Sequence, residues 1–210
     1  NQSALRLRTR LHNEPGVMVT SVPWQLASSG RDLSRGDRMV RARGRRDVPD
    51  ASDGLSATAY PSGVRGTPVE IAETQTPLIF WRKKLRPDSG GAGRTRGGLG
   101  QIMEIESGIA EPFDLLAAFD RIDHPPRGRD GGGDGEAGHV ALKSGQTLKG
   151  KGFQLIPPGD RLVVMTPGGA GIGTPAERDR LRVANDLADG LISQETAEKV
   201  YAYKPPRAAE

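Results

Sequence analysis

The sequence predicts an α+β fold that is mainly β, with mixed or antiparallel strands joined by long glycine-rich loops and two helices at the C-terminal end. Three observations lead there. Short runs of alternating apolar and polar residues recur between Thr67 and Thr166, and a period of two presents one set of side chains to each face of a strand. Glycine and proline clusters separate these runs, and 29 glycines with 16 prolines are too many breakers for a helical bundle. From Thr174 onward the apolar spacing lengthens to that of a helix. Only 35% of residues are hydrophobic, so the core should be modest and the chain reads as an incomplete part of a larger subunit.

The chain opens on a basic segment, residues 1–52. Residues 1–50 hold ten arginines against five acids, a net of +5 in a chain whose total is +4, so all the excess basicity sits at the front. The segment lacks a sustained period and ends in Arg41, Arg43, Arg45 and Arg46, which reads as disordered or non-native sequence. A nucleic-acid-binding arm is the alternative there, but the near-neutral body gives no reason to expect nucleic acid as a partner. With no cysteine, disulfides and thiolate metal sites are excluded, and with no apolar run near Asn1 neither a signal peptide nor a membrane is implicated. The expected location is cytoplasmic.

The body spans residues 53–203. Residues 60–66 are turn chemistry, and residues 67–73 set Val69 and Ile71 against Glu70 and Ala72 as a half-buried strand would. Residues 77–86 place Ile79, Trp81 and Leu85 on one face and Leu78, Phe80, Arg82 and Lys84 on the other, predicting a strand covered on both sides at its start. Residues 100–106 are the return strand. The connection between the two far exceeds an ordinary hairpin loop, and its paired glycines favour a tightly folded loop. Strands follow at residues 112–123, 138–143, 153–156 and 161–166, with a glycine and charge tract over residues 127–138 as loop. Thr174, Pro175 and Glu177 match a capping box opening a helix with an apolar stripe of Leu181, Ala184, Leu187, Ala188 and Leu191, ended by Gly190. Ser193 caps a second helix holding Ala197, Val200 and Tyr201, and residues 204–210 are tail.

Two constellations are candidate binding features. The loop over residues 86–98 could use its amides and arginines on an anionic or carbonyl-bearing group, with Arg86, Asp88, Ser89, Gly90, Gly91, Arg94, Arg96, Gly97 and Gly98 as candidate substrate or intermediate contacts. Equally, the glycines could serve a compact turn while Asp88 and Ser89 bond the local backbone. The loop lacks the GxxxxGK[ST] pattern of a P-loop. Gly171, Gly173 and Thr174 form a weaker candidate, an anion-binding helix start. They do not make a dinucleotide fingerprint, because no second strand ending in an acid follows. No metal site is expected, since His12, His124 and His139 lie far apart and Asp120, Asp123 and His124 read as an exposed strand edge. Catalytic residues stay unknown: there is no GxSxG elbow and no cysteine.

The run from Leu85 to Gly100 (LRPDSGGAGRTRGGLG), with Pro68-Val69-Glu70-Ile71 before it and TPGGAGIGTPAERD from Thr166 to Asp179 after it, resembles the C-terminal part of the hydantoinase B/oxoprolinase family. That family includes the B half of ATP-dependent 5-oxoprolinase and N-methylhydantoinase, with a related subunit in acetone carboxylase. The resemblance covers residues 53–203. It departs from the family over residues 1–50, which show arginines where a glycine-rich segment is usual, and over residues 120–138, which are more acidic and glycine-rich. The resemblance implies a hydrolase of a multi-subunit complex that opens a cyclic amide such as 5-oxoproline or a hydantoin after an A-type partner has phosphorylated it. Under that expectation ATP and magnesium belong to the A-type partner, and any divalent metal belongs to a preceding part of the B-type subunit. This chain would bind no cofactor, would be inactive alone and would act in a hetero-oligomer. Two alternatives stay open: a non-catalytic assembly cap of the same complex, and a subunit of an acetone-carboxylase-type carboxylase.

Overall fold

A computed structural model describes residues 4–8, 22–25, 52–57 and 68–204. Most of the basic front, read above as disordered, lies outside the described residues, but two stretches of it are strands: β1 (Ala4–Arg8) and β2 (Val22–Gln25). They pair antiparallel with each other, and β1 pairs antiparallel with β5 (Phe113–Ala118), whose other edge carries β7 (Lys151–Ile156). The first sheet thus runs β2-β1-β5-β7. The second runs β3-β4-β8-β6, formed by β3 (Leu78–Leu85), β4 (Gln101–Ser107), β8 (Arg161–Met165) and β6 (His139–Leu142), with every pairing antiparallel. The α+β, mainly β expectation holds, and the strands from β3 to β8 fall close to their expected places, except that β5 stops at Ala118, so Asp120, Asp123 and His124 lie beyond it, the last two in a bend, and not on a strand edge.

The two sheets share one apolar core. Phe113, Leu115, Ala117 and Ile156 from the first meet Leu78, Met103, Ile105, Val140, Leu142, Leu162 and Val164 from the second. Period-two alternation does this work: in β5 Phe113, Leu115 and Ala117 point inward while Asp114, Leu116 and Ala118 are half-buried on the other face. β3 is only partly as expected. Leu78 is buried, but Ile79 and Trp81 are 41% and 54% exposed, because β3 is an edge strand and Trp81 sits at a register shift against β4. Two neighbours hold Trp81 on this exposed face: its indole NH donates to Glu106, and the Arg161 guanidinium lies 4.0 Å from the ring centroid.

The strand expected over residues 67–73 is a helix, α1 (Val69–Gln75). A few alternating residues cannot distinguish the two periods, and the decisive contacts are four residues apart: Ala72 is fully buried, and the Thr76 amide and hydroxyl both donate to its carbonyl. Pro68, which has no amide to leave unpaired, precedes the first turn, and Pro77 bars continuation.

The C-terminal helices are α2 (Arg180–Ala188) and α3 (Gln194–Lys199). The expected capping box does not form. Residues Pro175–Glu177 make a single 3-10 turn in which Thr174 caps nothing with its side chain. Arg178 then turns extended, and Asp179 becomes the cap of α2, accepting from the Leu181 amide at 2.8 Å. The apolar stripe is rotated as well: Leu181 is 68% exposed, whereas Val183 and Asp186 face inward. Gly190 does end the helix at φ +66°, and Ser193 does cap α3 through the Thr196 amide. Val183, Ile192, Ala197 and Tyr201 form a second small core that packs on Ala92.

Candidate functional site

The glycine segments form one interlocked layer. Residues 89–100, 128–138 and 167–173 run beside each other and exchange backbone hydrogen bonds instead of side-chain contacts. The Gly91 amide donates to the Gly169 carbonyl at 2.7 Å and the Gly169 amide to that of Gly98 at 2.8 Å; the Gly133 amide donates to Ala92 at 2.6 Å and the Gly171 amide to Gly133 at 2.9 Å. Such close approach excludes side chains. A Cβ on Gly168 would lie 1.5 Å from the Ser89 carbonyl oxygen, and one on Gly97 would lie 2.0 Å from that of Gly169.

Most of the expected contact residues are consumed inside this layer. Arg86 donates to the Ala137 carbonyl at 2.7 Å and lies 3.5 Å from the Glu136 carboxylate. Asp88, at φ +59°, accepts from the Ser193 amide at 2.9 Å, tying the loop to the cap of α3. Ser89 is fully buried; its hydroxyl donates to the Arg86 carbonyl and accepts from the Gly100 amide. Gly90, Gly91, Gly97 and Gly98 all pack against backbone. At the expected anion-binding helix start, the amides of Gly171, Ile172 and Gly173 already donate to the carbonyls of Gly133, Thr95 and Arg129, so these three are engaged within the layer. Thr174 is exposed beside them. Of the three loop arginines, only Arg94 projects into solvent.

Arg96 has the reverse fate. It is 4% exposed and joins a closed quartet of charges. Its Nε lies 3.2 Å from Asp186 Oδ2, and its Nη1 donates to the Gly97 carbonyl. Arg178 binds both oxygens of Asp53 at 2.7 Å through its two terminal nitrogens, and Nη2 also reaches Asp186 Oδ2 at 2.7 Å. The Arg96 amide completes the ring by donating to Asp53 at 2.7 Å. Two cations and two carboxylates leave the quartet neutral, which is what allows it to be buried. Tyr201, 1% exposed, covers it with its ring 5.8 Å from the Arg178 guanidinium carbon. Burial would lower the basicity of Arg178, but the hydrogen bonds and charge of Asp53 and the charge of Asp186 outweigh it and hold the guanidinium protonated. Burial raises the Tyr201 phenol, which keeps it neutral.

Burial also acts to raise Asp53, and the Arg178 hydrogen bonds and charge, with the Arg96 amide, overcome it and hold the carboxyl below its ordinary 3.8. A carboxylate depressed in the folded state stabilises above its unfolded pKa of about 3.9 and loses that contribution as pH falls through the folded value. Urea denaturation at a series of pH values should therefore show stability falling below about pH 4. In Asp53→Asn this part of the acid dependence should disappear.

Asp53, Arg178 and Asp186 were not among the candidates read from the sequence. One signal was present: Asp186 lies three residues after Val183, an acid placed on the inward stripe of α2. Among the described residues no three His, Cys, Asp or Glu side chains gather as a metal would require, and no helix is long and apolar enough to cross a membrane.

The profile of the hydantoinase B/oxoprolinase family matches residues 48–175. The chain belongs to the hydantoinase B/oxoprolinase family. An uncharacterised protein of Methanocaldococcus jannaschii is 38% identical over 141 residues, 66% of this chain and 25% of that protein. A 5-oxoprolinase of Pestalotiopsis fici is 32% identical over 145 residues, 63% of this chain and 11% of that protein. The crystal structure of the ATP-dependent caprolactamase of Pseudomonas jessenii superposes with a TM-score of 0.71 at 20% identity, over 99% of this chain and 35% of that one. The chain thus spans a quarter or less of the length of these curated hydantoinase B/oxoprolinase relatives.

Proposed function

We propose that this chain works within a B-type subunit of an ATP-dependent cyclic amide hydrolase, opening a ring such as 5-oxoproline, a hydantoin or a lactam after an A-type partner has phosphorylated the substrate. Family membership, a 5-oxoprolinase relative and the fold of an ATP-dependent caprolactamase support the reaction class. ATP and magnesium would be held by the A-type partner. Within that reaction this chain serves as the platform of the subunit and not as its reacting centre.

The observation that carries the platform reading is the use made of the loop arginines. Arg86 is spent on a backbone carbonyl and Arg96 on Asp186, so neither is available to a substrate. A neutral buried quartet gives rigidity, whereas a catalytic guanidinium must present its donors to developing charge. To test it, the B-type subunit containing this chain is combined with its A-type partner and assayed for ADP release with 5-oxoproline, hydantoin and caprolactam. We expect ADP release coupled to ring opening for at least one of them. No cyclic amide-dependent ADP release would overturn the reaction class, and bicarbonate-dependent turnover would assign the carboxylase branch instead.

A further inference from the structure

Gly173 holds two exposed arginines in place, one on each side of its backbone. The Arg94 amide donates to its carbonyl at 3.1 Å, and its own amide donates to the Arg129 carbonyl at 3.0 Å. Hydrogen-bonded backbones lie about 4.8 Å apart, so Arg94 and Arg129 are anchored roughly 10 Å from each other across Gly173. Gly173 has φ +75°, and a Cβ there would meet the Arg94 Cβ at 3.0 Å and its Nε at 3.4 Å, so the Arg94 side chain lies across the bare glycine. On the other flank, the Thr174 hydroxyl lies 3.2 Å from the point where a Cβ on Gly131 would be, in the turn that carries Arg129, and it caps no helix.

Both arginines differ from Arg86 and Arg96 in one respect. Among the described residues, no hydrogen bond or ion pair engages either guanidinium, and both residues are exposed. The layer beneath them is rigid backbone, so their anchor points cost no ordering when a ligand arrives. The exposed Arg127 precedes Arg129 and Asp130 follows it in the turn, and the Asp134 carboxylate accepts from the intervening Gly128 amide at 2.7 Å.

We propose that Arg94 and Arg129, beside the exposed Thr174, form a two-armed site for a small oxyanion. Two planar guanidinium forks and a hydroxyl match the acceptor oxygens of a phosphate or a carboxylate. The two sources share that chemistry, and which of them the site serves rests on the proposed function: a phosphorylated intermediate would supply the first and a ring-opened acid the second.

The experiment uses the chain itself and so stands or falls independently of any hydrolase activity. Inorganic phosphate and acetate are titrated separately into the protein while amide NMR signals are followed. At least one should shift Gly173 and Thr174 saturably. Arg94→Gln and Arg129→Gln should each weaken that binding at least fivefold, and the more sensitive ligand names the source. Lys149→Gln, which removes an equal charge from an exposed position, should leave the affinity unchanged. No saturable shift with either anion overturns the proposal. So does an unchanged affinity in the Arg94→Gln, Arg129→Gln double variant, or an equal weakening by Lys149→Gln.

Discussion

Arg178→Ala should be the most damaging single change in the charged interior, lowering stability by about 3–5 kcal/mol. The side chain is completely buried and supplies the bidentate partner of Asp53 and one bond to Asp186. Its removal leaves two carboxylates near a single guanidinium, that of Arg96, in a place where water cannot solvate the excess charge. The loss should reach beyond the site itself, because Asp53 arrives from residues 52–57, Arg96 from the glycine layer and Asp186 from α2. Guanidinium denaturation of Arg178→Ala measures the cost. The double variant Asp53→Asn, Arg178→Met should recover part of it by removing the stranded charge, and the comparison separates electrostatics from lost packing.

Gly168→Ala should be comparably severe, at about 3 kcal/mol or more. The added methyl would fall 1.5 Å from the Ser89 carbonyl oxygen, and both partners are backbone, so no flexible side chain can yield. Gly145 provides the control: it has φ +105° but nothing within 4 Å, so Gly145→Ala should cost only the strain of a left-handed residue, about 1–2 kcal/mol. Thermal unfolding of the two variants beside the parent protein tests the difference. Equal melting temperatures would show that the layer can open without cost.

What could be read from the sequence follows from how each feature encodes itself. β5 was legible because a half-buried strand writes its burial as alternation, and β8 because a short continuous apolar run marks a strand buried on both faces. α1 was not, because its seven residues contain only one buried side chain, Ala72, and so leave no stripe to read. The start of α2 was misplaced for a tertiary reason. Thr174, Pro175 and Glu177 are good capping residues, but the bonds from Arg178 to Asp53 and Asp186 draw the chain into the interior at the point where the helix would have run. The loop over residues 86–98 was recognised as special, yet its composition could not say whether arginines beside glycines reach outward or inward. Arg94 and Arg96 are two residues apart and do one each. Arg129 gave no signal at all, since its placement depends on Gly173, more than forty residues later.

β1 and β5 are joined by backbone bonds between residues roughly a hundred positions apart. Pairing so remote closes a long loop before it returns any contact energy, so the first sheet is expected to complete late in folding. A shortened protein beginning at Asp53 would lack the two strands that shield β5. It would then present an open row of amides and carbonyls beside Leu116, a template on which other molecules could add as extra strands. Strand β1, itself flanked by β2, therefore guards the β5 edge against self-association.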